Sequence, residues 1–395
     1  RFNDDDSPSL TRTFSSAGNR KTFTISAWVK LGNFVTVRPI FNRYTAGSEA
    51  GFLGLYVNNN DHLYFTGWSS IYMQTNRLFR DPNAWYHIVF AMDTTQSTNT
   101  NRWKLYINGT QETSFAQAQY PSQNADLAIN EAVLHIVGNY QTYHFDGYLA
   151  EVNFIDGQQL TPSSFGETNS ETGQWNPIDT SGLTFGTNGF RLKFADNSGT
   201  TATTLGKDSS GNGNNFTPNN FSVSAGASND SVEDTPTNNW CTLNPLAMIA
   251  TGNVTPSNGN LDASFGTVSG GGGIASTFAV SSGKWYWEIK ITGGSSNKRI
   301  DIGVVDDTFT TYSGTVRYAP GLDSKSYAYV NSGTKYNNNT DTSYGASYNT
   351  NDVIGIALDL DNGTITFYKN NTSQGQAFSG LTGGFSPAVG DGSSA

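Results

Sequence analysis

Cysteine is nearly absent. The 395-residue chain has one, Cys241, so no intrachain disulfide framework can form. That excludes a small disulfide-stapled secreted scaffold and leaves a large bacterial or viral surface protein open. Charge is scarce: Asp, Glu, Lys and Arg make up 14% of residues, against about 25% in an average domain. The balance is acidic, with a net charge of −10, and an acidic surface repels phosphate, so nucleic acid is excluded as a partner. No apolar run approaches the ~18 residues of a membrane-spanning helix. Helical periodicity is missing apart from a turn expected near Pro162–Phe165. The chain opens at Arg1 with neither Met nor a leader-like segment, and is expected to be a portion of something longer.

What is present is turn chemistry and rings. Aromatics reach 13%, and there are 43 glycines among many Asn, Ser and Thr. Short aromatic strands joined by Gly/Asn/Ser turns produce such a composition. Hydrophobicity alternates with a period of two. Phe23, Ile25, Ala27, Val29 and Leu31 alternate with Thr24, Ser26, Trp28 and Lys30, which predicts a half-buried strand. Trp85–Met92 is apolar on both faces and predicts a doubly covered central strand. Trp103, Leu105 and Ile107 alternate with Lys104 and Tyr106, and Asn108-Gly109 then supplies a hairpin turn. Residues 133–138 and 147–155 add two strands.

A chain of this length is expected to form two domains, because single cores rarely grow past about 250–300 residues. From Gly166 to about Thr237 the composition turns to loop chemistry, most densely at Asp208–Asn220, with one strand at Phe190–Leu192–Phe194. This stretch reads as a connector packed along its neighbours, because its aromatics need burial. A second β unit follows. Trp285, Trp287, Ile289 and Ile291 share one face; Ile300, Ile302 and Val304 form the next strand; residues 353–360 form a buried one. Ile365 and Phe367 alternate toward a turn at Asn370-Asn371. The predicted architecture is all-β: two antiparallel β-sandwiches over 1–166 and 238–395, joined by the Gly/Asn/Ser-rich connector 167–237.

Four motifs give the first half a resemblance. FTISAWVK (23–30), WYHIVFAMD (85–93), KLYINGT (104–110) and FDGYLAEVNFIDGQQLTPSSFG (145–166) resemble the laminin-G-like, concanavalin A-like jelly roll. That resemblance implies a two-sheet sandwich, often with a glycan- or calcium-binding rim. The family usually has an acidic residue before the Glu-Val pair, and this chain has Ala150. The second half, through SSGKWYWEIKI (281–291), DIGVVDD (301–307), VIGIALDLDNGTITFYKNN (353–371) and FSPAVG (385–390), resembles a SPRY (B30.2-like) domain. This implies a second sandwich whose loops bind a partner without catalysis. A further strand usually follows the FSPAVG-type segment, so the second sandwich is expected to lack its last strand within these residues, or to receive it from another subunit. Residues 1–24 and 207–226 are similar to segments of marine tailed-phage virion proteins that couple these two modules.

Several constellations bear on chemistry. Glu151 and Asp156 are the nearest approach to a glycanase carboxylate pair, but the E-x-D-x-x-E pattern is absent, so no catalytic residue is assigned. Asp4-Asp5-Asp6 supplies oxygen ligands of the kind calcium takes, although short charge runs are usually solvated turns. His62, His87, His135 and His144 lack metal-type spacing, and Cys241 has no Cys partner. No cofactor is expected from these residues, calcium being implied only by the resemblance. The stronger signal is rings among Asn, Ser, Thr and Gly, because sugars present flat C–H faces to aromatic rings and hydroxyls to polar neighbours. The candidate ligand-binding residues are Trp68 and Tyr72 in one loop region, Tyr140, Tyr143 and His144 in another, and Tyr312, Tyr318, Tyr336 and Tyr344 in the long connections of the second half. Each is set against plugging the end of a sandwich.

The expected function is a non-catalytic virion surface or appendage protein, fibre or decoration, that displays two binding modules toward a host-surface glycan or receptor. A purely structural virion subunit and a bacterial surface adhesin are the alternatives. Other virion subunits and copies of itself are expected partners, and the virion surface is the expected location, with a bacterial cell surface or extracellular setting as the alternative.

Overall fold

In a computed structural model of the chain, the described residues are 1–44, 52–67, 70–226, 228–249, 254–266, 271–293, 298–306 and 319–392. They form two compact units, Arg1–Trp240 and Cys241–Ala395. Both are built from antiparallel strands, and helix among the described residues is confined to short 3-10 turns such as Pro162–Ser164.

The first unit stacks two main sheets. The eight-stranded sheet runs, in spatial order, Phe115–Ala118, Ser70–Leu78, His62–Gly67, Leu53–Val57, Arg38–Arg43, Leu134–Val137, Ser9–Thr13 and Thr217–Asn219. The six-stranded sheet runs Phe190–Leu192, Gly147–Asp156, Thr22–Leu31, Tyr86–Asp93, Trp103–Ile107 and Thr110–Glu112. Alternation sets which residues meet. Leu10, Val137, Phe41, Leu55 and Phe65 are register partners in turn across the eight-stranded sheet, so they share its inner face and are buried in the core. Phe23, Ile25, Phe90 and Phe154 meet them from the other sheet. The Asn108-Gly109 turn has φ of +48° and +79°, the left-handed pair a two-residue hairpin requires. A Cβ on Gly109 would come within 2.7 Å of the Trp175 ring.

Thr22–Leu31 departs from its predicted half-buried state: Thr24, Ser26, Trp28 and Lys30 are buried as well. The reason is a covering layer drawn from residues 158–240. Thr24 Oγ1 donates to Gln158 O at 2.7 Å, Trp175 and Val232 pack against the cluster of Trp28, Trp85 and Tyr148, and Lys30 Nζ bonds Asp234, Asn239 and Trp240 O. Residues within 167–237, such as Trp175 and Asp234, contribute to this layer, and the same stretch supplies two edge strands, Phe190–Leu192 and Thr217–Asn219.

The second unit also has two main sheets. One runs Leu243–Ile249, Gly272–Ser276, Phe385–Asp391, Asp301–Asp306, Tyr327–Val330, Thr334–Asn337 and Thr340–Ser343; the other runs Lys284–Lys290, Val353–Asp359, Thr364–Lys369 and Thr372–Ser379. Ile302, Val304, Tyr329, Ile354, Ile356 and Phe367 fill its core. Asn370 and Asn371, with φ of +47° and +67°, form the predicted turn. Phe385–Asp391 lies inside its sheet, paired with Gly272–Ser276 on one side and Asp301–Asp306 on the other. The unpaired row expected beside this segment is therefore not found among the described residues.

Candidate functional site

The clearest site lies on the outer face of the eight-stranded sheet of the first unit. Asn42 pairs with Gly54, and Gly54 with Thr66, so these three share the face opposite the core residues Phe41, Leu55 and Phe65. In the next outward row, Pro39 pairs with Tyr56 and Tyr56 with Tyr64, whose rings stack at 5.4 Å and 8°. The hairpin Asn139–Tyr140/Tyr143–His144 turns at this end of the strand Arg38–Arg43. It is tied down by Asn42 Nδ2, which donates to Asn139 O at 2.7 Å. Tyr140 is held between Phe52 and Tyr44, at centroid distances of 4.1 and 5.9 Å.

Val37, Pro39, Asn42, Phe52, Tyr56, Thr66, Tyr140 and Tyr143 line a pocket of about 220 Å³ between sheet and hairpin. A Cβ on Gly54 would approach Asn42 Cβ at 2.7 Å and Phe52 Cζ at 2.8 Å, so glycine leaves room beneath the rings. Among the described residues, no Asp, Glu, Lys, Arg or His lines the pocket. Burial, reinforced by the neighbouring phenols of Tyr64 and Tyr140, pushes the Tyr56 hydroxyl well above its usual range and keeps it neutral.

The candidate residues fall in different places. Tyr140 and Tyr143 are brought together at the pocket, with Tyr143 exposed. His144 is half-buried beside them; its Nδ1 lies 2.6 Å from Asn139 Nδ2, and burial lowers its pKa. Trp68, Tyr312 and Tyr318 lie outside the described residues. Tyr72 belongs to the strand Ser70–Leu78, not to a loop, and its ring packs 6.1 Å from Phe65 at the core margin. Tyr336, placed in a connection by its Asn-rich surroundings, sits in the strand Thr334–Asn337 and is buried under Arg299, whose Cζ lies 4.0 Å from the ring centroid. Tyr344 packs edge-on to Tyr329 and donates to Gly375 O. Pro39, Asn42, Phe52 and Tyr56 had no loop signal; their membership depends on strand pairing.

The alternative chemistries find no support in the geometry. Glu151 Oε2 accepts from Arg191 Nε at 2.8 Å, and Asp156 accepts from Asn19 N, Asn130 Nδ2 and Asn188 N, so both carboxylates serve structural bonds. His87 and His135 are buried. Trp175 Nε1 donates to His87 Nδ1, and Asn130 N donates to His135 Nε2. The rim does not fit calcium: Ala150 brings no carboxylate, Asp4 Oδ2 accepts from Asn33 Nδ2, and no three His, Cys, Asp or Glu side chains converge among the described residues. In the second unit Trp285 and Tyr286 are exposed on the strand Lys284–Lys290, and Tyr286 meets Tyr368 edge-on at 6.2 Å.

Residues 4–164 match the concanavalin A-like lectin/glucanases superfamily, and residues 284–394 match the SPRY domain. Ran-binding protein 10 of Danio rerio is 32% identical over 110 residues, 27% of this chain and 17% of that protein. Protein ssh4 of Neurospora crassa is 32% identical over 109 residues, 27% of this chain and 21% of that protein. The chain spans about a fifth or less of the length of these curated relatives. The crystal structure of the SPRY domain of human HERC1 is 21% identical, covers 39% of this chain and 91% of that one, and has a TM-score of 0.31. Both domain types are typically non-catalytic binding modules, and the chain carries a concanavalin A-like, laminin-G-type domain followed by a SPRY domain.

Proposed function

We propose that this chain is a non-catalytic recognition protein in which the first sandwich binds glycan and the second binds a protein partner. The observation that carries the first half is the ring-lined pocket under the hairpin Asn139–His144. Aromatic faces favour the C–H side of a sugar, and phenol, amide and threonine groups suit its hydroxyls. A glycan array on the intact chain tests this. Retention of glycans by the parent and their loss on Tyr143→Ala is the expected result; an array blank for every glycan overturns it.

The protein partner of the second sandwich is favoured by the exposed pair Trp285 and Tyr286, because large rings are enriched at protein contacts. Relatives of this module carry the name Ran-binding protein, which is said of them. The setting we propose is a virion surface or appendage. It rests on the likeness of residues 1–24 and 207–226 to tailed-phage virion proteins. Immunogold labelling of particles with an antibody to this chain tests it, and unlabelled particles overturn it.

A further inference from the structure

We infer that the edge strand Lys284–Lys290 of the second unit is an interface for a second copy of this chain, the two strands pairing antiparallel about Tyr286. This rests on the protein-partner reading of Trp285 and Tyr286 above and names the partner.

The edge is the first ground. Among the described residues, Lys284–Lys290 pairs on one side only, with Val353–Asp359. Leu360 N donates to Gly283 O at one end of that ladder, and Ile291 N donates to Asp352 O at the other. Bonding direction alternates along a strand, so the odd-numbered residues turn their N–H and C=O toward this ladder. Lys284, Tyr286, Glu288 and Lys290 turn theirs outward, a row of the kind that receives another strand. All four are exposed. Trp285 is 44% exposed, although it alternates onto the core face with Trp287 and Ile289, so that face is left half-covered at the edge.

Charge is the second ground. Twofold pairing through the outward groups must be centred on one residue of the strand. Centred on Tyr286, it sets Lys284 opposite Glu288 of the second copy, twice, and Trp285 opposite Trp287 of the second copy. Centred on Trp287, it sets Lys284 against Lys290; centred on Glu288, two carboxylates meet; centred on Trp285, neither Lys284 nor Glu288 meets a charge. Lysines on an edge oppose indiscriminate pairing. Here they leave one register attractive, and it is a register of the strand with itself. Lys284 Nζ lies 3.0 Å from Asp359 Oδ2, and Glu288 Oε1 accepts from the Tyr286 hydroxyl at 2.8 Å, so both charges are held beside the strand. Each keeps bonding capacity for a second partner.

Charge reversal makes the test. Sedimentation velocity on the intact chain, run over a range of concentrations, should show a monomer–dimer equilibrium. Lys284→Glu sets carboxylate against carboxylate at both crossings, and Glu288→Lys sets ammonium against ammonium. Each variant alone should weaken the dimer at least about tenfold. An equimolar mixture of the two, and the chain carrying both reversals, should associate as the parent does, which also shows that both variants fold. Amide hydrogen exchange should slow at Lys284, Tyr286, Glu288 and Lys290 as concentration rises. A parent that stays monomeric, or a dimer indifferent to both reversals, overturns the inference. Protection of the same four amides by a different protein, with the parent monomeric, overturns self-pairing alone and leaves the protein-partner reading standing.

Discussion

Lys30 Nζ lies 2.7 Å from Asp234 Oδ2, although the two are 204 positions apart in the sequence, and neither side chain is more than 2% exposed. The ammonium also donates to Asn239 Oδ1 and Trp240 O, so its charge is met on three sides. Asp234 Oδ1 accepts from Trp85 Nε1 at 3.0 Å. The pair joins the six-stranded sheet to the layer that covers it, and it explains how a strand written as alternating polar and apolar comes to be buried on both faces.

Removing one partner should therefore cost more than replacing both. Asp234→Ala leaves a buried ammonium without its carboxylate and strips Trp85 of its acceptor, a loss of about 3–5 kcal/mol. Lys30→Met combined with Asp234→Leu should recover much of that. Urea unfolding of the whole chain, followed by tryptophan fluorescence, measures both. A double variant as unstable as the single one would show that the layer is held by this charge pair and not by its apolar contacts.

His87 and His135 predict an acid limit for the first unit. Trp175 Nε1 donates to His87 Nδ1, which makes Nδ1 an acceptor and leaves Nε2–H to donate to Ser26 Oγ. A second ring proton would face the indole N–H. Burial lowers the pKa to about 3 for His87 and about 4 for His135, from 6.5 in the unfolded chain. Both folded values lie below the unfolded one, so the unfolded state holds more protons in between. Stability should then rise with pH from about 3–4 to 6.5 and level off above, by up to about 1.4 kcal/mol per pH unit for each ring. Two-dimensional NMR of the imidazoles checks it: both rings should stay neutral at pH 5.

Much of this fold could be read from alternation alone. Phe23, Ile25, Ala27, Val29 and Leu31 take the inner face as their spacing demands, and the turns at Asn108-Gly109 and Asn370-Asn371 fall where the residues allow left-handed backbone. The covering layer was harder to see, because Thr24, Ser26 and Lys30 look like a solvent face. Their burial is made tolerable by partners far away in sequence: Gln158 O, His87 and Asp234. Trp28, set among them, was the available signal. The site divides in the same way. Tyr140 and Tyr143 stood out as rings in a turn, whereas Asn42 and Tyr56 look like ordinary strand residues until pairing places them on one outward face. Tyr336 misled for the opposite reason, since Asn-rich sequence surrounds a ring that Arg299 covers.

Asp301 should give the second unit the opposite pH response. Its carboxyl is fully buried; Oδ1 accepts from Arg299 Nε at 2.8 Å, and Oδ2 has no hydrogen-bond partner among the described residues. Burial raises its pKa from 3.8 to about 7, against the pull of Arg299. The folded state holds the extra proton between those values, so stability falls as pH rises from about 4 to 7. Asp301→Asn should raise the melting temperature of the second transition at pH 8, by about 3 °C for each kcal/mol gained, and change little at pH 5. A variant less stable than the parent at pH 8 would mean that the ion pair with Arg299 outweighs the burial.

Hydrolysis is not expected. With Glu151 held by Arg191 and Asp156 bonded to Asn19, Asn130 and Asn188, neither carboxylate is placed to move a proton on substrate. Incubation with polysaccharide should release no reducing ends, and release that Glu151→Gln abolishes would sink the non-catalytic reading.

Two tyrosines separate contact from core. Tyr143 is 42% exposed at the pocket mouth, and surface truncations of this kind usually change stability by less than about 0.5 kcal/mol. Tyr336 is 7% exposed; its hydroxyl donates to Asn339 Oδ1 at 2.8 Å, and Arg299 lies over its ring. Gly321 packs so closely that a Cβ there would come within 2.3 Å of Tyr336 Cδ1. Tyr336→Ala therefore opens a void, strands Asn339 and uncovers a guanidinium, at a cost of about 3–5 kcal/mol. Differential scanning calorimetry should show a large drop in the second unit's transition for Tyr336→Ala and almost none in either transition for Tyr143→Ala. Glycan titration below both transitions should show the reverse, with affinity lost in Tyr143→Ala and kept in Tyr336→Ala. If Tyr143→Ala instead unfolds the first unit while binding survives in its folded fraction, the ring is a plug for the sandwich, and the pocket does not bind through it.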